Sequence, residues 1–462
     1  MSKSSLQRLK IWNAYKAEYK TLLRLGLPVL VTQLGIIVVS FADTMMVGMY
    51  GTKELAAASF VNNFFMVAIV MLIGFASGVT PLVGALYSQK KDLEVGRTLR
   101  VTSHLNAAAG VVFTIIMGIA YFFLDRMGQP DELLYLIRPY YLIVLSSLVP
   151  MAIFNCFQQT ANGTTDTAMP MWIMLGMNVF NICGNYLLIF GHLGLPELGL
   201  IGAGISTLLA RIIGMVVIVT LVMIRRRYRS YRQGFLHQPA LSGEHRKALK
   251  VSLPVMFQSG VECLLWSFGA VVCGWFGTLQ LAGYQVVVTI SQLGFMTYLS
   301  FGIATSIRVA NYMGVRDYVA ADRISSAGLH LNLVLCTIAS CIFWLGSDHL
   351  MGLFTDDAEV IAVAATLIFP LILHQFGDAV QITYANAQRG TSRVTPLLWV
   401  SIISYLMVGI PLLLVLSITF DMQSVGVYYS FSGALFLAAI LLYKAFKRTI
   451  RRASASQPSA ES

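Results

Sequence analysis

Apolar stretches of about 20 residues alternate with short polar segments from residue 27 to residue 445. Twenty residues of helix rise about 30 Å, the thickness of a bilayer's hydrocarbon core. The pattern predicts twelve membrane-spanning helices, at 27–49, 59–86, 101–124, 136–158, 169–190, 200–224, 252–275, 285–312, 327–346, 360–385, 395–417 and 423–445. The residues before them are polar and include Lys3, Arg8, Lys10, Lys16, Lys20 and Arg24, which suits a short helix at the membrane surface. Pro28 then falls near the start of the first span, where proline is tolerated. From about residue 446 the chain is basic, then rich in Ser and Ala, and is expected to be disordered.

Composition agrees with that pattern. Of 462 residues, 57% are hydrophobic and only 11% charged, whereas a soluble domain is about a quarter charged. The expectation is an all-α polytopic membrane protein. A net charge of +11 does not call for nucleic acid, because the basic residues cluster between spans. The two termini and the returns after even-numbered spans hold 28 of the 32 Lys and Arg residues, counting Arg308 at the end of span 8 and Arg389 among them. The opposite loops hold Lys53, Arg126 and Arg138, beside the acids Asp125, Asp131, Asp356, Asp357 and Glu359; Arg211 alone lies well inside a span. By the positive-inside rule both termini are cytoplasmic. Six cysteines (Cys156, Cys183, Cys263, Cys273, Cys336, Cys341) fall in apolar stretches without metal spacing and are expected to be reduced packing residues. No cleavable signal peptide is expected.

The two halves repeat. Leu27-Pro28-Val29 matches Leu253-Pro254-Val255 at an offset of 226, and Gly51-Thr52, Leu55-Ala56, Phe75 and Arg97 find partners at that offset without a gap. Asn162-Gly163-Thr164 matches Arg389-Gly390-Thr391 at 227. Six spans per half is an even number, so the copies share one orientation, and a parallel repeat of this kind places a substrate site between halves. The expected organisation is a segment 1–26, an N-lobe 27–224, a cytoplasmic linker 225–251, a C-lobe 252–445 and a basic tail 446–462.

Three carboxylates stand inside spans: Asp43, Glu262 and Asp378. Each costs roughly 2.5–3.5 kcal/mol to insert at mid-membrane, so holding and releasing a cation is the simplest use for them. Asn178, Asn181, Asn185 and Thr207 supply neutral oxygens in spans 5 and 6; helical spacing puts the three asparagines on one face. Such residues also simply join helices in lipid. Glu262 has Gln258 and Trp266 one turn away; Asp378 has His374 at i−4 and Gln381 at i+3. The acids are not equivalent in the repeat, since position 36 is isoleucine and 269 is glycine, which points to different tasks. Arg211 either snorkels or pairs with an acid. Phe60, Phe64, Phe65, Trp266, Phe295 and Tyr298 offer rings to organic cations, although aromatics at helical spacing are usually core or lipid-facing. The 21 methionines permit an adaptable wall.

Pro28 to Gln33, the run Phe-Ala-Asp-Thr-Met-Met-Val-Gly at 41–48 and the stretch Gly74 to Gly84 resemble the multidrug and toxic compound extrusion (MATE) family. Pro254, Glu262, Tyr284-Gln285 and Phe376-Gly377-Asp378-Ala379-Val380-Gln381 point to its NorM-like branch. The resemblance implies twelve helices in two six-helix lobes around a central V-shaped cavity. It implies export of cationic amphipathic drugs by exchange with Na⁺ or H⁺, from a bacterial inner membrane, by a monomer without a cofactor. Glu262 and Asp378 would form the C-lobe cation site, with Na⁺ as one candidate ion. Asp43, Asn181, Asn185 and Thr207 would form the N-lobe cluster. Gln33, Gln258, Trp266, Tyr284, Gln285 and His374 would line the substrate cavity.

Two rivals are weighed. A lipid-linked oligosaccharide flippase shares this architecture, but its pyrophosphate cargo would call for several basic residues in the spans, where this chain has mainly acids. A membrane enzyme such as a prenyl transferase would need paired acidic metal motifs. No such motif, no HExxH, no Ser/His/Asp arrangement and no P-loop occurs in the sequence, so the expectation is a transporter and not an enzyme.

Overall fold

The computed structural model describes residues 3–128 and 130–456. The end of the Ser/Ala-rich tail, 457–462, lies outside the described residues, as do the side chains of Lys3, Arg8, Lys10 and Asp131. Among the described residues there is no strand. Eleven helices are long and apolar enough to cross a membrane, and a bent pair supplies a twelfth. In chain order they are α1 (Trp12–Tyr50), α2 (Thr52–Ser88), α3 (Asp92–Tyr121), α4 (Glu132–Gly163), α5 (Ala168–Phe190), α6 (Gly199–Ile224), α7 (Glu244–Trp275), α8 (Thr278–Gly314), α9 (Tyr318–Leu345), α10 (Ala358–Thr366 with Ile368–Gly390), α11 (Thr395–Thr419) and α12 (Gln423–Ala455). Large apolar side chains stay exposed along them, such as Phe41, Met49, Ile115, Ile119 and Phe122. In water such surface would drive association; in lipid it is the expected exterior.

Proline explains the breaks. The bend of 47° in α10 falls at Leu367. The next proline, Pro370, lacks the N–H that would bond the carbonyl of Thr366 four residues back. The same relation holds at Gly78, which divides α2 into Thr52–Ser77 and Val79–Ser88, with Pro81 four residues beyond Ser77. It holds again at Ser147, which divides Asp131–Ser146 from Leu148–Gly163, with Pro150 four beyond Ser146. Pro28, Pro139 and Pro254 are carried inside continuous helices. In α11 the chain widens into π-helical segments at Ile402–Gly409 and Val415–Thr419.

Two expectations need correction. No separate surface helix precedes α1, because the helix runs unbroken from Lys3 to Tyr50 and Pro28 lies well inside it. Its early turns are held by packing: Tyr312 donates to Glu18 Oε1 at 2.7 Å, Tyr19 Oη and His330 Nδ1 are 3.0 Å apart, and Gly26 sits against the Phe301 ring. The basic start of the tail is ordered too, since α12 continues to Ala455. There Lys447 pairs with Asp322.

The chain divides into two compact units, one of Val31–Met256 and one of Met1–Leu30 with Phe257–Ser462. The first contains two apolar cores. One gathers around Phe65, Tyr141 and Leu148, and the other around Leu99, Phe157, Tyr228 and Tyr231. Residues after α6 belong to this unit and are folded. A helix Arg229–His237 lies on α3 at glycine contacts: a Cβ on Gly96 or Gly234 would fall 1.9 or 2.1 Å from a backbone carbonyl of the other helix. Tyr228 donates to Asp166 Oδ2 at 2.7 Å. The second unit packs α8, α9 and α12 about α10, with Tyr298, Cys336, Ala379 and Ile382 at the centre.

The internal repeat reappears in packing. A Cβ on Gly163 would meet the Thr80 carbonyl at 3.0 Å, and one on Gly390 would meet the Ser306 carbonyl at 2.6 Å. Gly48 faces Leu55 as Gly274 faces Leu281. All six cysteines are free; Cys183 and Cys341 are exposed and the others buried.

Candidate functional site

In the unit Val31–Met256, α1, α5 and α6 bring the predicted N-lobe residues together. Asn185 donates to Asp43 Oδ1 at 2.5 Å and lies 3.5 Å from Asn181 Oδ1. Asn181 donates to Thr207 Oγ1 at 3.1 Å. The helical spacing of Asn181 and Asn185 does this: both amides face the same neighbour. Gly184, between them, admits Ser206, whose hydroxyl donates to the Asn181 carbonyl at 2.8 Å. Asn178 stands one turn away against Gly35, with its amide nitrogen lacking a partner. Arg211 lies within electrostatic reach of Asp43 without pairing directly. Its guanidinium donates instead to Ser147 Oγ at 2.6 Å, at the break in α4. One acid and one arginine share this cluster, so its formal charge sums to zero.

The other unit differs. Gln258, on α7, donates to Glu262 Oε2 at 3.3 Å. Asp378, on α10, is 1% exposed, and its Oδ2 has no hydrogen-bond partner. Glu262 and Asp378 are within electrostatic reach of each other, and Tyr405 of α11 is within reach of both. Around Asp378, Gln375 donates to Ser291 Oγ at 3.0 Å and Asn332 to Thr383 Oγ1 at 2.9 Å, while Gln375 Oε1 and Asn332 Oδ1 are left without partners. Asp378 Oδ2, Gln381 Oε1 and both ring nitrogens of His374 likewise stand without partners, and the Tyr405 hydroxyl meets the Gln381 side chain. Buried polar atoms are nearly always bonded, so the free Asp378 oxygen, within electrostatic reach of Glu262, is available to accept something. Carboxylate, amide and hydroxyl oxygens are the donors preferred by hard cations. Among the described residues no three His, Cys, Asp or Glu side chains form a transition-metal type of cluster.

The remaining predicted cavity residues divide. Trp266 packs edge-on against His374, ring centres 5.0 Å apart, and against Phe431 at 4.5 Å. Tyr284 is buried on Tyr428. Gln285 is exposed, and Gln33 belongs to the other unit. Most of the aromatic side chains considered as cation acceptors are packing residues: Phe60 stacks on Phe64, Phe65 packs on Tyr141, and Phe295 lies against the core at Tyr298.

Two residues of the site were not anticipated. Arg389, counted above among cytoplasmic loop residues, lies within the helix Ile368–Gly390. It donates to Gln258 Oε1 at 3.2 Å and to Asn386 Oδ1 at 3.3 Å, within electrostatic reach of Glu262. Its position in the repeat was a signal, since an arginine there replaces Asn162 of the other half. Tyr405 owes its placement to the π-helical segment of α11, and no spacing in the sequence announces that.

The MatE family profile matches residues 28–187 and 254–415. A probable multidrug resistance protein NorM from Mannheimia succiniciproducens is 27% identical over 444 residues, covering 95% of each chain. Another from Photorhabdus laumondii is 26% identical over 430 residues, covering 92% of this chain and 94% of its own. Among solved structures, a mutant of the Vibrio cholerae MATE transporter VcmN superposes with a TM-score of 0.85 at 16% identity, over 95% of this chain and 98% of its own. With the profile matched in both halves of the repeat, the protein belongs to the MatE family.

Proposed function

We propose that this protein is a multidrug exporter that expels cationic amphipathic compounds in exchange for Na⁺ or H⁺. The observation that carries the reading is a charge imbalance. Asp43 has Arg211 within reach, whereas of the neighbouring acids Glu262 and Asp378 only Glu262 has a basic residue, Arg389, within reach. An uncompensated negative charge inside a membrane is costly, and one bound monovalent cation cancels it. The coupling ion therefore enters at Glu262 and Asp378, with the oxygens of Gln381 and Tyr405 beside them. Asp43, with Asn181, Asn185 and Thr207, is a second and weaker cation site, because Arg211 competes there.

A carboxylate holds one positive partner at full strength at a time. Ion entry weakens the hold on a cationic drug and releases it outward. One charge moving down 100 mV supplies about 2.3 kcal/mol, and a tenfold ion gradient about 1.4 kcal/mol more. That suffices for modest uphill export. The drug site opens to one side of the membrane at a time, as in repeat-built transporters. The protein acts as a monomer in the bacterial inner membrane with both termini cytoplasmic, a placement supported by the distribution of its basic residues. The names of the NorM relatives support the multidrug reading. The flippase alternative lacks the basic lining that an anionic pyrophosphate needs.

The test is ethidium efflux from inverted or reconstituted vesicles, with Na⁺ and pH gradients imposed separately. Export driven by at least one gradient is expected. Absence of both, with the protein inserted, contradicts the reading.

A further inference from the structure

We infer that Arg389 is a tethered internal cation that competes with the coupling ion for Glu262 and sets the affinity at which the ion binds. The inference rests on the ion site proposed above and deepens it. Arg389 and Glu262 are not in direct contact as an ion pair. One amide joins them: the guanidinium of Arg389 donates to Gln258 Oε1 at 3.2 Å, and Gln258 Nε2 donates to Glu262 Oε2 at 3.3 Å. Gln258 is 3% exposed, so little water competes with the bridge. A second amide, Asn386 one turn back on the same helix, accepts from the other end of the fork at 3.3 Å. Arg389 Nε is buried without a partner. The arginine is thus held at a fixed distance by two neutral side chains and is not neutralised by either.

That arrangement has a consequence a direct salt bridge would not. A guanidinium locked on Glu262 would exclude the ion altogether. One kept a side chain away keeps the empty carboxylate tolerable in the membrane, yet leaves its outer oxygen available. The ion then binds against a standing positive field and leaves readily once the gradient no longer supports it. Arg389 is in this sense a positioning residue: it touches neither ion nor drug and acts through Gln258. The N-lobe uses a related device with other parts, since Arg211 is held on Ser147 at 2.6 Å while it faces the field of Asp43.

The test is ethidium binding to the detergent-purified full-length protein, followed by fluorescence. It is titrated with NaCl against KCl at constant ionic strength and, separately, with acid. The readout is the ion concentration that displaces half the ethidium. For Arg389→Gln that concentration falls about tenfold, because an opposite charge nearby changes occupancy of a carboxylate by this factor or more. Arg389→Lys, which keeps the charge, stays near the wild-type value. Glu262→Gln becomes insensitive to the ion. If Arg389→Gln weakens ethidium binding or yield but leaves the half-displacing concentration unchanged while Glu262→Gln is insensitive, Arg389 is merely structural and the inference is overturned with the ion site intact. If Glu262→Gln remains ion-sensitive, the ion site itself is misplaced and the inference goes with it. Should Arg389→Gln fail to accumulate, Gln258→Leu removes the bridge and keeps the arginine. Its half-displacing concentration then rises, because the guanidinium is no longer held off the carboxylate, and an unchanged or lower value overturns the inference.

Discussion

Gly390 lies so close to the backbone carbonyl of Ser306 that a methyl group there would stand 2.6 Å from the oxygen. The other half of the repeat makes the same contact between Gly163 and Thr80, where the distance would be 3.0 Å. Both join the end of one helix to the middle of another beside a polar face, and neither partner atom is a side chain that can turn away.

The two contacts therefore predict a graded cost. Gly390→Ala is expected to destabilise by about 1–3 kcal/mol, in the range of overpacking, and Gly163→Ala by less, since its neighbour needs to give less. Thermal unfolding in detergent checks this. Equal Tm values for wild type and Gly390→Ala contradict it.

Tyr228 carries a prediction outside the membrane. It is fully buried, and its hydroxyl donates to Asp166 at 2.7 Å. Burial first, and the Asp166 charge second, push its ionisation well above the usual phenol value. A raised value means the bond's contribution is complete below the ordinary phenol pKa of about 10 and is lost only as pH rises through the raised one. Tyr228→Phe should cost about 1.5–3 kcal/mol, as for a hydrogen bond to a charged group. The deficit should be constant between about pH 6 and 9, below the ordinary phenol value. A deficit that vanishes by pH 9 contradicts the assignment.

Asp43 and Arg211 make a coupled pair without a direct bond. Arg211→Gln leaves the acid uncompensated in a low-dielectric setting, and the loss should be reversed in part by adding Asp43→Asn. The interaction term in a double-mutant cycle is expected at about 0.5–3 kcal/mol. Additive changes in unfolding free energy would show that Arg211 serves Ser147 alone.

Much of this was legible in residue order, for reasons that are physical. The bilayer imposes one length on every span, so the twelve helices were countable, and the offset of 226 exposed the repeat through Pro28 and Pro254. Acids in lipid are rare enough that Asp43, Glu262 and Asp378 drew notice without structure. The bends were harder to foresee. Pro81, Pro150 and Pro370 break their helices, while Pro28, Pro139 and Pro254 do not, and nothing in the order of residues separates the two sets. The long first helix was hidden because its polar residues looked like a solvated surface, whereas Glu18 and Tyr19 have partners at Tyr312 and His330. Arg389 was hidden by its place at the end of a span, where arginine ordinarily faces the headgroups. Gln258, more than a hundred residues earlier, and Asn386 on its own helix turn it inward.

We propose that Glu262 and Asp378 carry the coupling ion. The most direct measurement of this is gradient-driven ethidium efflux by Glu262→Gln and Asp378→Asn in proteoliposomes, at matched amounts of inserted protein. Each substitution keeps shape and removes charge. Both variants are expected to insert and to bind ethidium more weakly, through the acid that remains, while efflux no longer responds to a Na⁺ or pH gradient. Wild-type efflux rates in both variants under the same gradients would contradict it.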